Sequence, residues 1–171
     1  MRPTYRYGYG TQRLTLAAMR AQSGVKPLDP EFWRRLKKLM RDARKAGVDI
    51  GIGGAARSVL QQEQLFFDRH SEVASGGCCS YQGKRWALKA GKAHAAPPGR
   101  SYHEPSSPAG GVLAVDLVGW EHPWLEANLP RFGLRSFAGA LKEPWHIQPV
   151  EISAARSSYS GPHPLPKWRF R

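Results

Sequence analysis

The clearest pattern of apolar and polar positions lies in residues 29–47 and predicts an amphipathic helix. Apolar side chains recur every three or four positions, as one face of a helix requires: Phe32, Trp33, Leu36, Leu39, Met40 and Ala43. Asp29 is a suitable N-cap, Pro30 fits the first helical position, and Gly47 is a suitable terminator. Basic residues cover the opposite face, which we expect to lie in solvent.

Shorter patterns follow this helix and predict further strands and helices. Residues 48–52 alternate as a strand that runs into Gly53-Gly54, after which Arg57-Ser58 opens a second helix. The later part of the chain predicts a helix and three strands: residues 123–132 for the helix, and 112–118, 134–137 and 145–150 for the strands. Because helices come first and strands follow, the pattern predicts an α+β fold in which a small antiparallel sheet, flanked by helices, carries the functional site.

Residues 71–100 are the least regular part of the sequence. They predict a short helix at residues 85–92 and a loop at Pro97-Pro98-Gly99. A loop region of this length is unusual in a compact domain, so a covering or gating role is expected.

Changes in composition divide the chain into three parts. Residues 1–28 are basic and rich in Tyr and Gly, which predicts an arm that packs on the domain or leads into an assembly. Residues 29–152 carry the predicted elements and form the expected catalytic domain. Residues 153–171 are rich in Pro, Ser and Arg and are expected to leave the core as a tail.

The overall charge predicts a polyanionic partner. Lys and Arg number 26 against 13 Asp and Glu, which gives a formal net charge of +13. Nucleic acid and the anionic polymers of a bacterial wall attract such a chain by the same long-range field, so charge alone does not separate them. No apolar run reaches the roughly 18 residues of a membrane span, and no secretory signal is expected.

The two cysteines are adjacent, as Cys78-Cys79, and predict no disulfide framework because neighbouring cysteines bridge only with strain. A zinc site built on these two thiolates would need two further ligands, and His70 and His94 are the only local histidines. An ordinary pair of loop residues is the preferred interpretation.

The residues that carry chemistry are Glu143-Pro144-Trp145-His146, His103 and Asp116, and they predict a hydrolytic zinc site. Two imidazoles and one carboxylate leave a tetrahedral zinc ion one open position for water, while Glu143 stands by as the base. Simpler roles remain open: His103 as a surface loop residue, and Asp116 as a strand-end residue that caps a loop. His122 is the substitute ligand if His103 is not one.

Two other residues have both a functional and an ordinary interpretation. The fork of donors on Arg57 suits a substrate carboxylate or a developing oxyanion, although a chain this basic has many plain surface arginines. Trp145, next to His146, either forms the floor of the pocket or belongs to the core.

Three separated blocks resemble the D-alanyl-D-alanine carboxypeptidase and L-alanyl-D-glutamate endopeptidase family, the VanY-like zinc peptidases, whose metal-binding half is shared with Hedgehog domains. The blocks lie within residues 48–150: Arg57-Ser58 with Gln62; Pro98-Gly99-Arg100-Ser101-Tyr102-His103 with Ala114-Val115-Asp116; and Glu143-Pro144-Trp145-His146. The resemblance implies a Hedgehog/DD-peptidase-like fold and one zinc ion on three residues: His103, Asp116 and His146. It also implies Glu143 as catalytic base, Arg57 on the substrate carbonyl, and Ser101 and Gln62 in substrate binding.

One departure from the family pattern affects the metal ligands. The family usually separates its first histidine from the aspartate by seven positions, whereas His103 and Asp116 are thirteen apart. Residues 104–111 contain the insertion and are rich in Pro and Gly, so we expect them to loop out and leave both ligands in place.

Within the family, the lack of an expected signal peptide, the high positive charge and the basic arm resemble bacteriophage wall-degrading enzymes. The run Glu-Pro-Trp-His-Ile-Gln-Pro at residues 143–149 and the helix segment Phe-Trp-Arg-Arg-Leu at residues 32–36 are similar to peptidase modules of phages that infect actinobacteria. The expected function is amide hydrolysis in the stem peptides or cross-links of peptidoglycan, by a released endolysin or a virion-borne tail lysin. The arm or tail would then contact other virion proteins. The alternatives are a catalytically inactive virion or wall-binding module of the same fold and, less favoured, a nucleic-acid binder suggested by charge and by aromatic-basic ends.

Overall fold

The computed structural model describes residues 2–105, 111–137 and 143–152. Its helices are α1 (Leu16–Ala21), α2 (Pro30–Lys45), α3 (Val59–Arg69) and α4 (Pro123–Asn128), the last continued by a 3₁₀ helix, Leu129–Phe132. Its strands are β1 (Tyr5–Tyr7), β2 (Arg13–Leu14), β3 (Gly51–Gly54), β4 (His70–Val73), β5 (Cys79–Tyr81), β6 (Lys84–Leu88), β7 (Val115–Val118), β8 (Leu134–Phe137) and β9 (Glu143–Pro149).

Helix α2 forms as its sequence pattern predicts. The Asp29 carboxylate accepts the backbone N–H groups of Glu31 and Phe32 at 2.9 and 3.0 Å, which satisfies two of the donors left open at a helix start. All six predicted apolar positions are buried, and each large side chain among them contributes about 1.5–3 kcal/mol of transfer free energy. Among the described residues, no helix combines the length and apolar character needed to cross a bilayer.

A six-stranded sheet forms the centre of the molecule in the order β2-β1-β3-β7-β9-β8. Every neighbouring pair is antiparallel except β1 and β3, which run parallel. The parallel pair depends on Gly51, because a Cβ atom there would overlap the backbone of Arg6. The predicted α+β class is therefore confirmed, with a predominantly antiparallel sheet and α2 in the shared core.

Residues 1–28 are predicted as an arm that packs on the domain or leads into an assembly, and the described part of this segment, residues 2–28, packs against the domain. β1 and β2 are strands of the central sheet, and Leu28 forms a bridge with Val112. Tyr5, Met19 and Val25 are almost fully buried in the main core. The segment packs into the domain because these apolar side chains, spaced too irregularly to give a period, complete its hydrophobic core. The predicted tail, residues 153–171, lies outside the described residues.

The prediction of a short helix at residues 85–92 is wrong. β6 occupies the first half of this segment and pairs with both β4 and β5 in a separate three-stranded sheet. Gln82 and Gly83, both at positive φ, form the turn between β5 and β6. A small second core contains Phe66 of α3, Cys79 and Trp86. Because Trp86 is buried in this core, the packing stabilises β6 as a strand. The gating role of this region stays a prediction.

Candidate metal centre

Three elements bring the predicted zinc ligands together. Asp116 on β7 pairs with His146 on β9, and it lies opposite Gly54 on β3. His103 comes from the loop that precedes β7, where its backbone carbonyl accepts the N–H of Arg57 at 2.8 Å. The loop is held by the Glu104 carboxylate, which is buried and accepts the backbone N–H groups of residues 99 and 101.

The three side chains are spaced as ligands of one tetrahedral ion. His103 Nε2 lies 3.2 Å from His146 Nδ1, and Asp116 Oδ1 lies 3.4 Å from the first nitrogen and 3.5 Å from the second. Zinc–nitrogen bonds of about 2.0–2.1 Å in a tetrahedron place neighbouring ligand atoms about 3.3–3.4 Å apart. The donor set therefore fits zinc. His103 and Asp116 meet across the inserted segment, of which residues 106–110 lie outside the described residues.

Hydrogen bonds on the far side of each imidazole fix which nitrogen faces the site. Nδ1 of His103 lies 2.6 Å from the backbone carbonyl of Ala55, so Nδ1–H donates and the Nε2 lone pair is left for a metal. Nε2 of His146 lies 3.4 Å from Gln148 Oε1, which leaves Nδ1 as the ligand atom. The Gln148 amide is held in turn by a bond from its Nε2 to the carbonyl of Ile152 at 3.1 Å.

Sequence reasoning missed Gln148, which is fully buried beside His146. The available signal was its spacing, since side chains two apart on a strand share a face. Phe137 was missed as well, and its ring stacks on His146 with centroids 4.7 Å apart and planes within 6° of parallel. Both neighbours restrict the orientation of the imidazole.

Asp116 remains ionised at the centre of the site. Burial by itself raises the pKa of this carboxyl, but the facing imidazoles of His103 and His146 outweigh burial and hold it well below its usual range. The carboxylate is thus in the form that binds a cation.

Arg57 lies at the junction between β3 and α3, where it connects several parts of the site. Its Nη1 donates to Gln62 Oε1 at 2.8 Å, and its Nη2 lies 3.7 Å from Asp116 Oδ2. Gln62 is almost fully buried and donates to the carbonyl of Ala96 at 2.7 Å. Burial lowers the pKa of the Arg57 guanidinium, although an arginine stays charged at any physiological pH. The arrangement holds a partly exposed cation at the rim of the metal site.

The metal site opens into a cleft of about 270 Å³ that is lined by every predicted site residue, including Ser101, Glu143 and Trp145. Strict alternation on β9 would direct Glu143 and His146 to opposite faces. The pairing with β8 is irregular at this point, since Ser136 faces Ile147 while Phe137 faces Glu143. This bulge lets residues three apart line one cleft.

Contacts in the structure define the positions of the remaining predicted residues, Ser101, Trp145 and His122. Ser101 is buried at the cleft wall, and its hydroxyl accepts the backbone N–H of His103 at 3.4 Å. Trp145 is half-buried and packs edge to face on Trp120 at 5.7 Å. His122 caps α4, where its Nδ1 accepts the N–H of Trp124, and it is not one of the residues that line the cleft.

Comparisons with known proteins return solved structures only. No family model matches the sequence, and no curated protein matches it significantly. A mutant of the vancomycin-resistance D,D-pentapeptidase VanY in complex with Zn(II) is similar, with 24% identity, a TM-score of 0.49 and 72% of each chain covered. VanYB in complex with D-alanine-D-alanine is similar with 23% identity, a TM-score of 0.49 and coverage of 72% of this chain and 71% of that one.

A third similar structure is the LdcB LD-carboxypeptidase, described for its recognition of peptidoglycan. Its identity is 20% and its TM-score 0.45, and the match covers 72% of this chain and 59% of that one. VanY-like zinc peptidases, the group that the sequence resembles, are thus among the structures similar to this chain.

Proposed function

We propose that this chain is a zinc-dependent peptidase of the VanY-like group. The observation that carries the proposal is the spacing of His103, Asp116 and His146, whose facing atoms all lie within 3.5 Å of one another at the end of an open cleft. Three ligands around an open position are the arrangement of catalytic zinc sites, whereas structural sites use four protein ligands.

The residues around this position suit amide hydrolysis. A zinc ion held there would lower the pKa of a bound water to about 7 and polarise the substrate carbonyl. Glu143 lines the same cleft, where its carboxylate is proposed to accept a proton during attack and deliver it to the leaving amine. Arg57 is proposed to donate to the carbonyl oxygen as negative charge develops there.

The proposed substrate is peptidoglycan, at its stem peptides or cross-links. The three sequence blocks support this choice, and the net charge of +13 would concentrate the protein at an anionic bacterial wall. Arg57 also offers a paired donor for a peptide carboxylate. Ser101, Gln62 and Trp145 are proposed to contact the peptide along the cleft.

The proposed setting is a phage lysin, either released from the infected cell or carried on the virion. The resemblance of the sequence to phage peptidase modules supports this, as does its basic composition. Other virion tail proteins are the proposed partners, with residues 153–171 or exposed parts of residues 1–28 as the contact.

The test compares Glu143→Gln with the wild type on purified peptidoglycan, with released peptides identified by mass spectrometry. Glu143→Gln should lose release by at least about 100-fold, the usual contribution of a general base, and keep its zinc and its fold. Glu126→Gln, an exposed glutamate on α4, is the matched control and should be fully active. Chelation should abolish activity and added zinc should restore it.

The products also show which peptide bond is cut and distinguish a peptidase from an inactive wall-binding module. Free D-alanine indicates carboxypeptidase action, while loss of cross-linked fragments indicates endopeptidase action. If Glu143→Gln releases peptides at the wild-type rate, the proposed mechanism is contradicted. Wall binding without products, from a protein that lacks zinc at the three ligands, supports the inactive wall-binding module instead.

A further inference from the structure

The structure contains a second group of side chains that can bind a metal ion, and this group does not include the proposed zinc ligands His103, Asp116 and His146. His70 begins β4, Cys79 begins β5, Cys78 precedes it, and His94 lies in the loop that follows β6. Each residue offers one ligand atom, and the four atoms all lie within 4.8 Å of one another. Two thiols and two imidazoles from three separate segments therefore converge on one point.

Each of the two imidazoles has a buried ring nitrogen that could bind a metal ion. Nδ1 of His70 lies 3.1 Å from the carbonyl of Phe66, so Nδ1–H donates and Nε2 keeps its lone pair. Nε2 of His70 and Nε2 of His94 are both buried, and neither has a hydrogen-bond partner in the part of the chain that the structure describes. Unsatisfied buried nitrogens of this kind are costly unless something binds them.

The two thiols have the spacing that one ion requires. The Sγ atoms of Cys78 and Cys79 lie 3.6 Å apart, close to the roughly 3.8 Å between two sulfurs of a tetrahedral zinc site. The ring of Phe66 stacks on His70 with centroids 4.5 Å apart, and Arg69 donates to the carbonyl of His94 at 3.2 Å. These contacts hold the ring of His70 and the backbone of His94 in place.

We propose that Cys78, Cys79, His70 and His94 bind a second, structural zinc ion. Two cysteines and two histidines form a closed tetrahedral set that leaves no position for water, so the site supplies stability and not catalysis. The ion would fasten the three-stranded sheet to the end of α3 and to the loop after β6. That loop also provides the carbonyl of Ala96 that holds Gln62 beside Arg57, so the second ion would steady one wall of the catalytic cleft.

Cobalt substitution tests this site separately from the catalytic one. The two cysteines are the only ones in the sequence, and the catalytic ligands include no sulfur. A thiolate-to-cobalt charge-transfer band can therefore come only from the second site. The band should appear in the wild type and persist in a His103→Ala/His146→Ala variant. It should disappear in Cys78→Ala/Cys79→Ala and survive in Ser80→Ala, a matched substitution of the next residue.

Metal content gives an independent readout. The wild type should hold two zinc ions per chain, and each double variant should hold one. A wild type with no charge-transfer band, or with a single zinc that is lost in His103→Ala/His146→Ala, overturns the proposal, as does a Cys78–Cys79 disulfide in protein that has never been exposed to oxidant. The wild-type and histidine-variant results decide the matter even if the cysteine variant fails to fold. A failure here leaves the proposed peptidase function untouched.

Discussion

Replacing Gln148 with methionine should weaken zinc binding at the catalytic site without removing a ligand. The substitution keeps the length of the side chain but removes the acceptor for Nε2–H of His146. Loss of such an outer hydrogen bond usually costs 10–100-fold in metal affinity. Because the bond is long, at 3.4 Å, we expect the lower end of that range, about tenfold or 1.4 kcal/mol.

The assay is peptide release from purified wall at a series of buffered free-zinc concentrations. Gln148→Met leaves the four side chains of the proposed second site unchanged, so any effect of a second ion on activity is the same in the wild type and in the variant. Gln148→Met should raise this concentration about tenfold and leave the rate at saturating zinc nearly unchanged. This result would identify Gln148 as a positioning residue that acts through His146.

A matched control separates zinc binding from loss of stability. Ile147→Val lies next to both residues on β9 and removes a methyl group from a fully buried side chain, at a cost of about 1 kcal/mol in unfolding free energy. It should leave the half-maximal zinc concentration unchanged. An unchanged value for Gln148→Met, or an equal rise in both variants, refutes the positioning role.

Two further predictions concern Arg57 and Glu31. Arg57→Lys keeps the charge but loses the guanidinium fork, so kcat/KM on wall peptides should fall about 100-fold with zinc content unchanged; full activity would remove Arg57 from the mechanism. Hydrogen bonds from Arg34, opposed by burial and aided by Arg35, hold the pKa of Glu31 below its ordinary value. Its stabilising effect is therefore present at neutral pH and is lost as the pH falls through the folded-state pKa. Glu31→Gln should lower the urea-unfolding free energy by about 1 kcal/mol near neutral pH and not at acid pH, and a pH-independent loss would contradict this.

The sequence was sufficient where local chemistry decides the structure. Asp29, Pro30 and the apolar face of α2 define that helix without help from the rest of the chain, and Ser58 with Gln61 forms a capping box at the start of α3. The three residues predicted as zinc ligands lie together in the structure, and each was singled out because it belongs to a short motif with chemically informative neighbours.

The sequence did not predict the structure correctly where contacts between residues far apart in the chain determine it. The strand β6 was predicted as a helix, since its partners β4 and β5 and the ring of Phe66 are what stabilise it. The first 28 residues were predicted as an arm because their buried side chains are irregularly spaced. His70 and His94 were the candidate partners of the cysteine pair, but they are 24 positions apart, and no local pattern shows that both reach it. Gln148 was missed for a similar reason, as its role depends on the orientation of one imidazole.

Anomalous diffraction at the zinc absorption edge, from crystals grown with zinc, tests the central claim most directly. The expected result is a peak about 2.0–2.1 Å from Nε2 of His103 and Nδ1 of His146, within bonding distance of an Asp116 carboxylate oxygen, and with its fourth side open to the cleft. Crystals that contain zinc but show no peak between these three side chains would contradict it.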